Sequence, residues 1–187
     1  DFPIEITTFA DIPANTGLGS SSAFAVGLVH ALYALKGQRA TKYSLASEAA
    51  QIEVDLLGRT MGKQDHFASA YGNLNIFTFH ADEMVTVEPV FYRPEVWRSL
   101  ERNLLLFYTR LKRDAGEVLK AQDRDTANNR NVLRQMKELV SPLREVLSSG
   151  KNLNLFGEIL HQGWELKKTL TDGITSSEID KYYEKAL

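Results

Sequence analysis

The chain has 187 residues, 43% hydrophobic and 25% charged, with a formal net charge of −2, an ordinary globular composition with length for one sizeable core or two small ones. The near-neutral charge gives no general affinity for nucleic acid or an anionic membrane, and no apolar run approaches a membrane span or a signal peptide. The absence of cysteine excludes disulfides and thiolate metal sites and fits a reducing cytoplasm.

Charge is uneven along the chain. Residues 1–92 carry 5 Lys and Arg against 10 Asp and Glu, whereas residues 93–187 carry 17 against 14, which points to two differently built parts. The chain opens on Asp1 without an initiator Met, and residues 4–10, Ile-Glu-Ile-Thr-Thr-Phe-Ala, alternate as a strand. It reads as a piece of something longer.

Residues 11–24, Asp-Ile-Pro-Ala-Asn-Thr-Gly-Leu-Gly-Ser-Ser-Ser-Ala-Phe, carry that strand through a glycine loop into a helix. Gly17 and Gly19 lack a Cβ, so the backbone there can take positive φ and bring successive N–H groups to an anion. The helix beginning near Ser20 aims its unpaired N–H groups and positive dipole end at the same spot. Ser20, Ser21 and Ser22 add hydroxyls able to cap the helix, bond a phosphate oxygen or ligate a hard cation such as Mg²⁺. A plain helix cap after a tight turn is the alternative.

The helix from Ser20 to about Lys36 is apolar on most sides, with Phe24, Leu28, Ala31, Leu32 and Leu35 at helical spacing and Gly37 at its end, and is expected to be buried. A second helix is predicted over residues 44–57, stopping at Gly58, with Leu45, Ala49, Ile52 and Leu56 as its core face. Glu53 lies beside that face. It is either a solvated surface residue or an inward carboxylate in need of a cation.

Twelve positions later, Asp65 stands in Met61-Gly-Lys-Gln-Asp-His-Phe-Ala-Ser-Ala-Tyr-Gly72, a turn entering a short helix. It could be an ordinary helix N-terminal carboxylate. Lys63 beside it could ground a phosphate oxygen or lower the Asp65 pKa, or be a surface lysine.

Residues 74–79 and 84–90 read as a hairpin turning at Ala81, Asp82 and Glu83. A helix over 93–102 with Pro94 in its first turn follows, then an apolar strand over 103–109 that begins a second unit. Helices are predicted over 114–124, 127–148 with a break at Pro142, 153–170 and 176–187. Trp164 is a core anchor in this reading, and His30, His80 and His161 lack metal-ligand spacing.

The loop has neither the Lys of a Walker A motif nor the third glycine of a dinucleotide fingerprint. It resembles the Pro-x-x-x-Gly-Leu-Gly-Ser-Ser-x-Ala motif of the GHMP kinases, with Pro13, Gly17, Leu18, Gly19, Ser20, Ser21 and Ala23 in the motif's places. Further stretches are similar to kinases of D-glycero-D-manno-heptose phosphate: Gly-Lys-Gln-Asp, Ala-x-Tyr-Gly-Asn-Leu-Asn, Phe-Tyr-Thr-x-x-x-Arg-Asp-Ala, Leu-His-Gln-Gly-Trp-Glu-Leu-Lys-Lys and Ile-Thr-Ser-Ser-Glu-Ile-Asp. Fucokinase and galactokinase are more distant by the same motifs.

The resemblance implies an α+β fold. Residues 1–92 would be the later part of a ribosomal S5 domain 2-like N-terminal domain, and residues 93–187 the start of a ferredoxin-like, helix-rich C-terminal domain. It implies ATP bound by Pro13, Asn15, Thr16, Gly17, Leu18, Gly19, Ser20, Ser21 and Ser22, and Mg²⁺ held by Ser21 and Glu53. Asp65 would face the substrate hydroxyl, Lys63 would assist it, and Gln64 and Arg113 would contact substrate. Arg113 could equally be a solvated Arg before a helix.

The implied reaction is phosphoryl transfer to a sugar, with the anomeric hydroxyl of a heptose phosphate first and a fucose- or galactose-like sugar second. The expected partner is that small molecule, in the cytoplasm, with no nucleic acid or membrane; an oligomer is open. A non-catalytic phosphate-binding module is the reading from another class, against which the pair Glu53 and Asp65 counts. The family's N-terminal sugar-binding segment and its third, Gly-rich motif are absent from the sequence, so the chain alone is expected to be weakly active or inactive.

Overall fold

The computed structural model describes residues 3–11, 16–110 and 115–187. The fold is α+β, with a helical layer, one hairpin and a helix-rich second half. Helix α1 (Ser20–Leu35) ends at Lys36 and Gly37, α2 (Lys42–Gln51) is capped by the Thr41 hydroxyl, which accepts from Ser44 N at 3.0 Å, and α3 (Gln64–Tyr71) ends at Gly72. Between α2 and α3 the helix widens into one π turn (Ile52–Leu56). The three helices pack on one another.

Strands β1 (Asn75–Phe79) and β2 (Val85–Pro89) form the hairpin, antiparallel and in register from Asn75 opposite Pro89 to Phe79 opposite Val85. Its inner face closes over Phe67 of α3, which packs with Ala46 and Val85 and is ringed by Tyr43, Tyr71 and Phe77. A second cluster, Val26, Val29, Leu45 and Ala49, joins α1 to α2. Burial of the larger of these side chains, Val26, Val29, Leu45, Phe67 and Val85, each contributing about 1.5–3 kcal/mol, holds α1, α2 and α3 against one another.

Helix α4 (Pro94–Arg102) has Pro at its first position, where a missing N–H costs nothing. Then come α5 (Ala115–Arg124), α6 (Arg130–Glu138), α7 (Val140–Ser149), α8 (Asn154–Lys168) and α9 (Ser177–Ala186). Val90, Leu100 and Leu147 form a third cluster that ties the end of the hairpin to α4 and α7. On α8, His161 bonds Tyr183 of α9 at 2.8 Å and Trp164 packs on the same ring, so both serve the helix contact.

Several expectations are corrected. Residues 4–10 are without regular structure, the segment expected as a strand over 103–109 is a turn at Asn103 followed by irregular chain, and no described strand pairs with either. Alternation describes side chains, whereas a strand also needs a backbone partner. Helix α1 is buried on one side only, through Ser22, Val26 and Val29, and leaves Phe24 and Leu35 about half exposed at 50% and 51%. The break expected at Pro142 falls at Leu139, because Pro142 sits in the first turn of α7 where no helical partner for its nitrogen is required. No helix among the described residues is long and apolar enough to cross a membrane.

Candidate active site

Gly17 and Gly19 are both left-handed, with φ of 74° and 67°, the conformation for which glycine has no Cβ penalty. Gly19 is the N-cap of α1; no side chain caps it and no acidic residue lies in its first turn. The helix start thus has backbone N–H groups and a positive dipole end of the kind that suits an anion. Ser20 and Ser21 are exposed there, and Leu18 is half exposed. Ser22 is different: it is fully buried on the Val26 and Val29 stripe, and its Oγ has no partner among the described residues. Of the other loop residues, Thr16 is half-buried, while Pro13 and Asn15 lie outside the described residues, as does Arg113.

Glu53 occupies the π turn, on the continuation of the buried stripe Ala46, Ala49 and Ala50. Its side chain is buried, and each carboxylate oxygen has a separate set of partners. Oε1 accepts from the Ser21 hydroxyl and from Arg59 Nη1 at 2.6 Å; Nη1 also donates to Ser21 Oγ at 2.5 Å. Oε2 meets His66 Nε2 at 2.8 Å, and His66 is fully buried. Burial pushes the Glu53 carboxyl up, but the bonds from Ser21 and His66, with the charges of His66 and Arg59, outweigh it and hold the carboxyl below its ordinary value. Glu53 is an ionised carboxylate at neutral pH.

The inward alternative for Glu53 is thus the one realised, and the Ser21 hydroxyl, the other residue to which the resemblance assigns Mg²⁺, donates directly to it. Arg59 and His66 are the two partners that local sequence spacing did not reveal. Gly58, at φ 63°, reverses the chain after the π turn and brings Arg59 back over Glu53, with Arg59 N donating to Glu53 O at 3.0 Å. His66 sits beside Phe67 on the buried face of α3. A glycine directly before an arginine, one turn past an inward Glu, is the sequence signal that could have found the first.

Asp65 is exposed in the first turn of α3 and faces the loop: a Cβ built on Gly19 would lie 3.2 Å from its Cγ and Oδ2. A side chain at residue 19 would press on that carboxylate, and the left-handed φ favours glycine there as well. Gln64 is exposed beside it as the first residue of α3. Lys63 is the N-cap position of α3, but its ammonium is on Glu83 of the hairpin turn. Of the roles open to Lys63, the structure shows an ion pair with Glu83 rather than with Asp65. Lys63 and Glu83 border a cavity of about 220 Å³ with Gln51 and Asp55, and none of Ser21, Glu53 and Asp65 lines it.

The chemistry of the donors fits Mg²⁺. Ser21 Oγ and Glu53 Oε1 are adjacent hard oxygens near the start of α1, and a guanidinium cation is already seated on them. No group of three or more His, Asp or Glu among the described residues could hold a metal by itself. Such a site suits an ion that keeps one or two protein ligands and takes its others from phosphates and water.

Loop, buried Glu and loop-facing Asp all fall in or beside the stretch that matches a known family: residues 2–73 match the GHMP kinases N terminal domain. This stretch is therefore similar to a GHMP kinase N-terminal domain. The whole chain is 25% identical over 182 residues to a D-glycero-alpha-D-manno-heptose 7-phosphate kinase of Campylobacter jejuni, covering 96% of this chain and 53% of that protein. It is 26% identical over 187 residues to the bifunctional fucokinase/GDP-fucose pyrophosphorylase of Arabidopsis thaliana, covering 97% of this chain and 18% of that one. The crystal structure of a D-glycero-D-manno-heptose 1-phosphate kinase from Bacteroides thetaiotaomicron superposes with a TM-score of 0.70 at 27% identity, over 86% of this chain and 46% of that one. The chain thus spans about half the length of the heptose phosphate kinases it matches.

Proposed function

We propose that this chain is part of an ATP-dependent sugar kinase whose substrate is D-glycero-D-manno-heptose phosphate, phosphorylated at its anomeric hydroxyl in the cytoplasm. Residues 1–92, with the GHMP kinase N-terminal domain, form the ribosomal S5 domain 2-like part, and residues 93–187 begin a ferredoxin-like, helix-rich part. The observation that carries the reading is the closure of Asp65 onto Gly19, 3.2 Å from where a Cβ would stand. It sets a free carboxylate over the loop that would hold the phosphates. A binding module needs the loop alone.

Phosphoryl transfer asks the protein to hold the triphosphate still, neutralise its charge and align a hydroxyl. The backbone N–H groups from Gly17 to Ser22 would bind phosphate oxygens at the start of α1, with the Ser20 hydroxyl beside them. Ser21 and Glu53 would hold Mg²⁺, which when bound offsets charge on the phosphates. Asp65 would accept a hydrogen bond from the sugar hydroxyl, align it and take its proton, a role commonly worth about 10²- to 10⁴-fold in rate. Gln64 and Arg113 are assigned to substrate contact. Lys63 is given no step, since Glu83 already neutralises it.

The test is conversion of ATP to ADP by the full-length protein with a panel of sugars and sugar phosphates, run beside Asp65→Asn. Turnover with heptose phosphate that falls at least about 100-fold in the variant is expected. Turnover with fucose or galactose instead keeps the kinase and replaces the substrate, an outcome that the fucokinase relatives make the second reading. Bound ATP with no turnover on any sugar would remove the kinase reading.

A further inference from the structure

Glu53 has an inner and an outer oxygen. The inner one, Oε2, is committed to the fully buried His66. The outer one, Oε1, is shared by Ser21 and by a guanidinium that comes in from solvent: the Arg59 side chain is 51% exposed against 4% for Glu53. One nitrogen, Arg59 Nη1, lies 2.5 Å from Ser21 Oγ and 2.6 Å from Glu53 Oε1. Those are the two oxygens proposed above for Mg²⁺.

The placement is built into the chain path. The π turn closes with Leu57 N donating to Ile52 O at 2.9 Å, Gly58 reverses the backbone at φ 63°, and Arg59 N bonds Glu53 O at 3.0 Å. Arg59 is thereby anchored to the very residue whose carboxylate it covers. A buried carboxylate without a cation is costly, so some positive group has to stand there. A guanidinium and a divalent cation cannot share two oxygens, because like charges at that distance repel strongly in a half-buried site. Arg59 has a long, flexible stem with half its surface in water, so it can leave without being dragged from a core.

We infer that Arg59 is an internal counter-cation: it holds the Ser21 and Glu53 position until a nucleotide-bound divalent ion displaces it. It is a positioning residue, and the inference rests on the proposed metal role of Ser21 and Glu53. The consequence is selectivity. A bare metal ion has to evict Arg59 with nothing offered in return, whereas a metal–nucleotide brings phosphates with which the released guanidinium can pair. The protein thus favours the metal–nucleotide complex over either component.

The experiment is Mn²⁺ titration of the full-length protein without nucleotide, followed by electron paramagnetic resonance, on the unaltered protein, Arg59→Gln, Arg59→Met and Arg59→Lys. Removing the charge is expected to tighten Mn²⁺ binding about tenfold or more, with Arg59→Lys close to the unaltered protein. The gain is expected to vanish when Glu53→Gln is added. With ATP present, the advantage of Arg59→Gln is expected to shrink. Equal Mn²⁺ affinity in the unaltered protein and both neutral variants overturns the inference and leaves the metal assignment standing. Mn²⁺ binding absent from every form, with or without ATP, overturns both.

A second measurement needs no variant. The Arg59 guanidinium signal in NMR is expected to move on saturation with Mg²⁺ and ATP. A signal unmoved at saturation overturns the inference.

Discussion

Glu53 Oε2 and His66 Nε2 meet at 2.8 Å across a gap of thirteen residues, with both side chains removed from solvent. The bond fastens the π turn to α3, and so fixes the distance between the carboxylate proposed for the metal and the one proposed for the sugar. His66→Ala leaves a buried carboxylate oxygen without its donor and opens a cavity beside Phe67. The expected cost is about 2–4 kcal/mol, read from the urea midpoint at unchanged slope. A variant within about 0.5 kcal/mol of the unaltered protein would show that Glu53 does not depend on the ring.

The two loop glycines separate strain from contact. Both are left-handed, so alanine at either costs about 1–2 kcal/mol in backbone terms. At Gly17 a Cβ meets nothing within 4 Å; at Gly19 it meets the Asp65 carboxylate at 3.2 Å. In nucleotide-free protein Gly19→Ala is therefore expected to melt below Gly17→Ala, and the Asp65 carboxyl signal in NMR to shift in Gly19→Ala alone. Equal melting with an unmoved Asp65 would detach Asp65 from the loop.

Much of this was readable from local pattern, and what was not has a common cause. The loop, the helix starts at Ser20 and Pro94, and the hairpin from Asn75 to Pro89 follow from glycine, proline and alternation within a few residues. Glu53 could be placed beside the apolar stripe, but whether it turned inward depended on Ser21 and His66, 32 and 13 residues away. Arg59 was hidden differently: a π turn and a left-handed Gly58 bring it back, and helical spacing counts neither. The segments 4–10 and 103–109 failed as strands for the reverse reason. Their pattern is local, whereas pairing is not.

Phe67 anchors α3 against α2 and the hairpin. It is 1% exposed, with Tyr43 edge-on at 5.5 Å and Phe77 and Phe79 each at 6.4 Å. Its neighbours on α3 are Asp65 and His66, so the same packing positions both. Phe67→Ala is expected to cost about 3–5 kcal/mol and Phe67→Leu distinctly less. Hydrogen exchange supplies the check: α3 amides are expected to lose protection in Phe67→Ala before those of α8, and uniform loss across both would mean that the two halves unfold as one unit.

Gly150 tests how α7 is joined to α4. It ends α7 at φ 65°, and a Cβ there would run into the Val96 side chain on α4, beside an Arg93 guanidinium that donates to Ser149 O at 3.2 Å. Gly150→Ala thus combines left-handed strain with overpacking, together about 2–4 kcal/mol. Trimming the obstacle separates the two contributions. In Gly150→Ala with Val96→Ala the overpacking is relieved and the strain remains, so the double variant is expected to be more stable than the sum of the singles by about 1–3 kcal/mol. Thermal or urea unfolding of the four proteins measures that coupling directly. If the two losses simply add, Val96 is not what excludes a side chain at residue 150, and the cost of Gly150→Ala belongs to the backbone alone.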